Sequence, residues 1–301
     1  MIEKTFEVSQ NGKGLRLDKF LAGQLGFLSR TKIHALIDKD MVLVDGDAKK
    51  ASFHLKVGQK VEIKIADEKK ELKPFDFAVK IIYEDNDIIV IDKPGGLVVH
   101  PPQKNYYKTL VNALINLKKE LSDINALRPG VVHRLDKETS GVMVMAKNNK
   151  AHHALVEQFK QRSVKKVYVA IAWGKPSKNK LSVDLPLGRD IKNRLKMKVS
   201  FLRSKTAHSQ IETIEALEGA TYLRIIPSTG RMHQIRVHLK FLELPIVGDK
   251  KYGVKDDFNE LFLHAKELSF MHPVTAEPLK FSSPVPERFK EFIKNHHLKN
   301  N

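Results

Sequence analysis

From residue 79 onward, short strand-like runs and helical patterns succeed one another in no regular strand–helix–strand order. A parallel, doubly wound sheet needs that alternation. Its absence predicts an α+β chain: a mainly antiparallel mixed sheet flanked by helices. The strand candidates are 88–91, 97–99, 131–132, 142–145, 167–173, 211–216 and 222–226. Helical spacing appears at Leu110, Val111, Leu114 and Leu117, again at Ala154, Leu155 and Phe159, and over 232–242 and 287–296.

The front of the chain reads as a separate small α/β unit over residues 15–65. Asp18 opens a helical pattern that Gly26 ends, and Ser29 is placed to cap a second helix through Ile33, Leu36 and Ile37. Val42-Leu43-Val44 runs into Asp45-Gly46, a hairpin turn signal, and Val61, Ile63 and Ile65 alternate with charged residues as in a half-buried strand. The charged, proline-containing stretch 66–78 reads as a linker, leaving 79–301 as the main domain.

The chain has 301 residues and a net charge of +18, a surplus that points to a polyanionic partner, most often nucleic acid. It has no cysteine, which excludes disulfides, thiolate metal sites and cysteine nucleophiles. The first ten residues hold Glu3, Lys4 and Glu7 and no apolar run, unlike a secretory signal. No apolar run is long enough to span a bilayer. A cytoplasmic protein without a membrane partner is expected, and a monomer, since no apolar seam stands out. No metal is expected either: His233 and His238 are five apart, off a common helix face, and no HExxH pattern exists. Neither a phosphate-binding P-loop nor GxGxxG occurs, so no cofactor is implied.

Three polar segments lie among the apolar ones. They are His133-Arg134-Leu135-Asp136-Lys137-Glu138-Thr139-Ser140-Gly141, Lys166-Val167-Tyr168, and Gly230-Arg231-Met232-His233-Gln234-Ile235-Arg236-Val237-His238. Loops carried by rigid strands are favoured places for catalytic groups. Taken singly, each has an ordinary structural reading: a surface Asp paired with a neighbour, a core tyrosine, solvated arginines, capping histidines.

Together they resemble a known set. The first resembles the signature loop of the RluA class of pseudouridine synthases, HRLD-x-x-TSG, without departure. The second and third resemble the later elements of that class, the third being GR-x-HQIR-x-H. Lys93-Pro94-Gly95-Gly96 is similar to its early lysine–proline turn, and Gly248-Asp249, Tyr252-Gly253 and Leu263-His264-Ala265 are also similar to class features. The front unit resembles, more loosely, the RNA-binding domain first seen in ribosomal protein S-four, through Arg16 to Leu21 and Ser29-Arg30.

The resemblance implies a cofactor-free isomerase that turns uridine into pseudouridine. It implies Asp136 as the catalytic carboxylate, acting as a nucleophile or as a base that starts elimination at the sugar. It implies Arg236 as its cationic partner in a planar, two-point pairing, with Arg231 as runner-up. Tyr168 is implied beside the flipped ring, where phenol is a poor base and stacking matters. Arg134 is implied as the side chain that fills the space the base vacates. His133, Leu135 and Gln234 are expected to touch substrate as well.

Beyond the pocket, seven basic residues between Arg189 and Lys205, Arg194 among them, face one acid, Asp190; that run suits a phosphate backbone. Arg16, Lys19 and Arg30 are the candidate RNA contacts of the front unit. The front unit and 183–199 are most similar to members of the class that act on large-subunit ribosomal RNA, so that RNA, or a ribosomal particle, is the expected partner. The alternatives are transfer RNA as substrate, or a non-catalytic RNA-binding or ribosome-assembly factor. A pure binder gains nothing from an acid facing phosphate, which favours the enzyme.

Overall fold

The computed structural model describes residues 2–26, 28, 30–65, 72–101 and 107–298. The chain divides into two compact units, 1–70 and 71–301.

The smaller unit contains β1 (Ile2–Glu7), α1 (Leu17–Gln24), α2 (Arg30–Ile37), β2 (Val42–Val44), β3 (Asp47–Ala48) and β4 (Lys60–Ile65). Its antiparallel sheet runs β1-β4-β2-β3. Val61, Ile63 and Ile65 of β4 face one way, as the alternation predicts, and pack with Leu17 and Leu21 of α1 and Ile33 and Ile37 of α2. Asp45 and Gly46 have φ of 53° and 86°, the left-handed pair that a two-residue hairpin between β2 and β3 requires. The unit starts at β1, ahead of the expected residue 15. Among the described side chains of β1, Phe6 packs on the core. The expected cap at Ser29 lies outside the described residues.

The larger unit opens with β5 (Lys80–Glu84), β6 (Ile88–Lys93), α3 (Leu110–Asn116), β7 (Ser140–Ala146), α4 (Asn149–Gln161) and β8 (Lys165–Trp173). It continues through β9 (Lys180–Asp184), β10 (Leu187–Arg189), β11 (Met197–Val199), β12 (Ser204–Lys205), β13 (His208–Leu217) and β14 (Ala220–Pro227). It closes with α5 (Gln234–Phe241), β15 (Leu263–Met271), β16 (Pro278–Ser282) and α6 (Glu287–Asn295). A nine-stranded sheet runs β5-β6-β7-β15-β8-β14-β13-β9, with β16 also on β15, and β10–β12 form a small sheet of their own. Every pairing in the large sheet is antiparallel except β7 with β15, so the α+β expectation holds.

Continuous apolar runs in β6 and β7 reflect burial on both faces. Ile89, Ile91, Met143 and Met145 face α3, whereas Ile88, Val90, Val142 and Val144 face α4. Asn148 caps α4 by accepting the Ala151 N–H at 2.9 Å. The parallel contact explains one glycine of the signature loop. Gly141 has φ +118°, and a Cβ there would collide with the Ala265 carbonyl of β15.

Three local expectations are corrected. Residues 97–99 form no strand but a single bridge, Val98 with Thr109, which leads into α3. Residues 131–132 belong to an irregular loop, where the Val131 N–H closes a turn onto the Arg128 carbonyl. The stretch expected to link the domains up to 78 joins the larger unit from residue 72. Leu72, Phe75 and Phe77 pack on the α3 core, and the two phenylalanine rings stack at 5.5 Å. Among the described residues no helix is long and apolar enough to cross a membrane.

Candidate active site

The loop 131–139 leads into β7, and β8 runs two strands away, beyond β15. Between this loop, β8 and the turn into α5 lies a cavity of about 490 Å³, within the usual range for small-molecule sites. Asp136 is the only acid among the described residues that line it. Arg134, Lys160, Arg162, Lys166, Arg231 and Arg236 supply six cations.

The loop is held from beneath. Lys93 is fully buried at the end of β6, and its Nζ donates to the carbonyls of Pro94 at 2.7 Å, Leu97 at 2.9 Å and Lys137 at 3.2 Å. The Gly96 N–H donates to the same Lys137 carbonyl at 2.9 Å. The lysine–proline turn thus fixes the residue after Asp136. Burial pulls the Lys93 pKa down to about 7, against the charges of Asp136 and Glu138.

Arg236 sits in the first turn of α5 with its side chain only 2% exposed. Its Nη1 lies 3.7 Å from Asp136 and 3.2 Å from Glu138. Its two-point hydrogen bond goes elsewhere: Nε donates to Asp249 Oδ2 at 2.8 Å and Nη2 to Oδ1 at 2.6 Å. The expected two-point pairing with Asp136 is therefore corrected. Asp249 takes the fork because its own backbone turn, receiving the N–H groups of Lys251 and Tyr252 at 2.9 and 3.0 Å, aims both oxygens at α5. Burial opposes the Asp249 charge, but the Arg236 bonds outweigh it and hold its pKa below the ordinary value. The Tyr252 ring covers the guanidinium at 5.3 Å. Arg231 is not the partner either: its Nε donates to the Thr206 carbonyl at 3.0 Å while the side chain lines the cavity.

Tyr168 projects from β8 onto the cavity, and its hydroxyl has no hydrogen-bond partner among the described residues. Burial first, and the Asp136 charge second, push that hydroxyl well above the ordinary phenol range. It is a neutral phenol at neutral pH.

The remaining lining residues divide by how much of them the fold consumes. Arg134 is exposed at the rim. The His133 ring stacks on Phe159 at 4.5 Å, and its Nε2 accepts the Val144 N–H at 3.1 Å. Burial and then Lys166 lower its pKa to about 3, so it is a neutral acceptor committed to β7. Leu135 is 4% exposed in the α3 core. Gln234 spends its whole amide on the fold. Its oxygen accepts from Thr229 Oγ1 at 2.6 Å and the Arg231 N–H at 3.0 Å, and its nitrogen donates to the His208 carbonyl and Ser209 Oγ, both at 2.9 Å. It shapes the turn and has no amide donor left for substrate. His233, which begins α5, has φ 55°, a left-handed conformation uncommon for histidine, and its Nδ1 meets Tyr252 Oη at 2.7 Å.

Arg194 lies outside the cavity, in the turn between β10 and β11. Arg16, Lys19 and Arg30 belong to the smaller unit. There Arg16 and Arg30 reach the buried carboxylate of Asp18 at 3.0 and 2.7 Å. Sequence reasoning gave no role to Asp249, Glu138 or Tyr252. The signal lay in Gly248-Asp249 and Tyr252-Gly253, noted only as similarities.

Beside a mixed, mainly antiparallel sheet, a cavity that sets one acid among six cations has the charge of a site for a polyanionic ligand. A family model described as RNA pseudouridylate synthase matches residues 87–241. An uncharacterized RNA pseudouridine synthase of Bacillus subtilis (strain 168), YlyB, is 39% identical over 291 residues, which cover 95% of this chain and 96% of that one. A ribosomal large subunit pseudouridine synthase D of Neisseria meningitidis is 38% identical over 290 residues, covering 91% and 76%. Among solved structures, human RNA pseudouridylate synthase domain containing 4 superposes with a TM-score of 0.58 at 27% identity, covering 73% of this chain and 95% of that one. The chain belongs to the RNA pseudouridine synthase family, in its RluA-type branch, and is an RNA isomerase.

Proposed function

We propose that this chain isomerises specific uridines of large-subunit ribosomal RNA in the cytoplasm, with Asp136 as the reacting carboxylate. The observation that carries the reading is the placement of Asp136. Among the described residues it is the lone acid of a cation-lined cavity, 14% exposed, with the Arg236 guanidinium at 3.7 Å. Two relatives described as ribosomal large subunit pseudouridine synthase D, at 38% identity, support the choice of RNA.

The reaction breaks the bond from ribose C1′ to uracil N1, turns the base, joins C1′ to C5, takes the proton from C5 and leaves one on N1. It is redox-neutral, and product and substrate have the same atoms. Asp136 meets the electron-poor sugar, either by bonding to C1′ or by taking a ribose proton. Arg236, anchored by Asp249, holds a fixed positive charge beside it. Tyr168 offers the uracil a ring to lie against, and its neutral hydroxyl relays the C5 proton rather than acting as an ionised base. The target base must leave its stack, and Arg134 at the rim fills the gap. The smaller unit acts as an RNA-binding module of the S-four type, through Arg16, Lys19 and Arg30, and the protein works as a monomer.

The test is to incubate wild-type protein and Asp136→Asn with unmodified large-subunit ribosomal RNA and with transfer RNA, then map pseudouridine. Product from wild type alone, at defined ribosomal positions, is the expected result. Product only on transfer RNA moves the substrate. No product on either RNA, from a folded protein that binds both, sinks the reading and leaves a binding factor.

A further inference from the structure

The small sheet β11-β10-β12 carries the four most exposed large apolar side chains of the described residues. In the β10–β11 turn, Ile191 is 86% and Leu195 75% exposed; in the β11–β12 turn, Phe201 is 79% and Leu202 84% exposed. The next, Phe241, is 55% exposed. Clustered exposure of this kind marks an interaction site rather than chance. The turns are not loose. Asp190 Oδ1 accepts the N–H groups of Lys192 and Asn193 at 2.7 and 3.1 Å, Asn193 Oδ1 accepts that of Leu195 at 3.0 Å, and Ser200 Oγ donates to the Leu202 carbonyl at 2.9 Å. Side-chain bonds therefore shape both turns while the apolar groups stay in water.

The base of this sheet is built into the active-site wall. Leu187, Met197 and Val199 pack with Val237 of α5 and with Tyr252. The Met197 N–H donates to Tyr252 Oη at 2.7 Å, the same hydroxyl that meets His233. The Thr206 carbonyl, just past β12, takes the Arg231 bond at the cavity edge. The arm thus shares its footing with the helix that carries Arg236.

We propose that the two turns form a stacking platform for unpaired bases of the RNA next to the modified uridine. This rests on the reading of the chain as an RNA pseudouridine synthase. Ile191, Leu195, Phe201 and Leu202 meet the faces of bases, while Arg189, Lys192, Arg194, Lys198 and Arg203 meet phosphates. The charge decides for RNA over an apolar protein partner: between Arg189 and Lys205 seven basic residues face one acid, and that acid is spent on its own turn. Splayed bases offer flat apolar faces beside an anionic backbone, which is the pattern this arm presents.

Binding of the ribosomal RNA is measured against salt concentration, on a background of Asp136→Asn so that chemistry does not intervene. The paired variants Ile191→Ser/Leu195→Ser and Phe201→Ser/Leu202→Ser are expected to weaken binding about tenfold or more, the effect of losing base stacking, with an unchanged salt slope. Lys192→Gln and Arg194→Gln are expected to flatten the slope by roughly 0.7 each, the phosphate effect. Phe201→Trp, with Leu202 kept, is expected to bind as wild type does and to have the added fluorescence quenched by RNA. Unchanged RNA affinity in both apolar variants overturns the platform, as does a concentration-dependent self-association that they abolish while RNA binding stays intact. Binding and turnover separate the two readings. A wild type that makes no pseudouridine defeats the proposed activity, whereas the platform stands or falls on the binding curves.

Discussion

Arg236 gives its two-point hydrogen bond to Asp249, at 2.6 and 2.8 Å, and stands 3.7 Å from Asp136. The arginine that faces Asp136 is thus anchored by a different acid. One carboxylate holds the cation in the fold, and the other remains 14% exposed and open to the cavity. Breaking a buried ion pair typically costs about 3–5 kcal/mol. Asp249→Ala is accordingly expected to lower the unfolding free energy by that amount, and Asp136→Asn by much less. Urea unfolding of the two variants compares them; equal losses would mean that Asp136 holds the arginine in the fold as much as Asp249 does.

Tyr168→Phe keeps the ring and removes only an unpartnered hydroxyl. Its stability should stay within about 1 kcal/mol of wild type, as for a substitution that leaves packing intact. Turnover should fall more than RNA affinity does, while Tyr168→Ala should lose both. Because burial holds the phenol protonated, the wild-type rate should show no tyrosine ionisation between pH 6 and 9. A rate limb in that window that vanishes in Tyr168→Phe would contradict the neutral-phenol role.

Lys93 has a pKa of about 7 in the fold, against an ordinary value of 10.5. Between those values the unfolded chain binds more protons than the native one, so stability rises with pH, by up to ~1.4 kcal/mol per unit. Lys93→Met should lower stability by removing the Nζ donor from the carbonyls of Pro94, Leu97 and Lys137, the last of which keeps the Gly96 N–H, and should flatten this rise above pH 7. Denaturant unfolding of both proteins at pH 7, 8 and 9 measures it. Parallel slopes for the two would assign the rise to another group.

In the smaller unit, burial opposes the charge of Asp18, but hydrogen bonds from Arg30, Arg16 and His34 outweigh it and hold its pKa well below the usual carboxylate range. Its stabilising effect is therefore complete above about pH 4, the ordinary Asp value, and is lost as the pH falls further. Asp18→Asn should destabilise this unit at neutral pH and reduce its sensitivity to acid. Hydrogen exchange of the α1 and α2 amides, read at pH 7 and pH 3, follows the unit by itself. Equal protection in both proteins at pH 7 is the result that fails this account.

Local pattern carried much of the architecture. The alternation of Val61, Ile63 and Ile65, the Asp45-Gly46 turn and the irregular order of strands and helices all depend on neighbours in the chain, and each has its expected form in the structure. The three polar segments line one cavity, and their family likeness named the chemistry before the geometry was known. Other features depend on partners far along the chain. Residues 97–99 have strand composition but find only one bridge, and Phe75 and Phe77 lie in a charged stretch yet pack on α3. Glu138 and Asp249 compete with Asp136 for one guanidinium across 98 and 13 residues, and no local spacing shows which carboxylate its fork will meet. The order of residues determined which side chains are present and on which face of a strand or helix each stands. Tertiary packing decided which acid anchors Arg236 and which is left open to the cavity, because a two-point bond depends on directions in space that only the folded backbone sets.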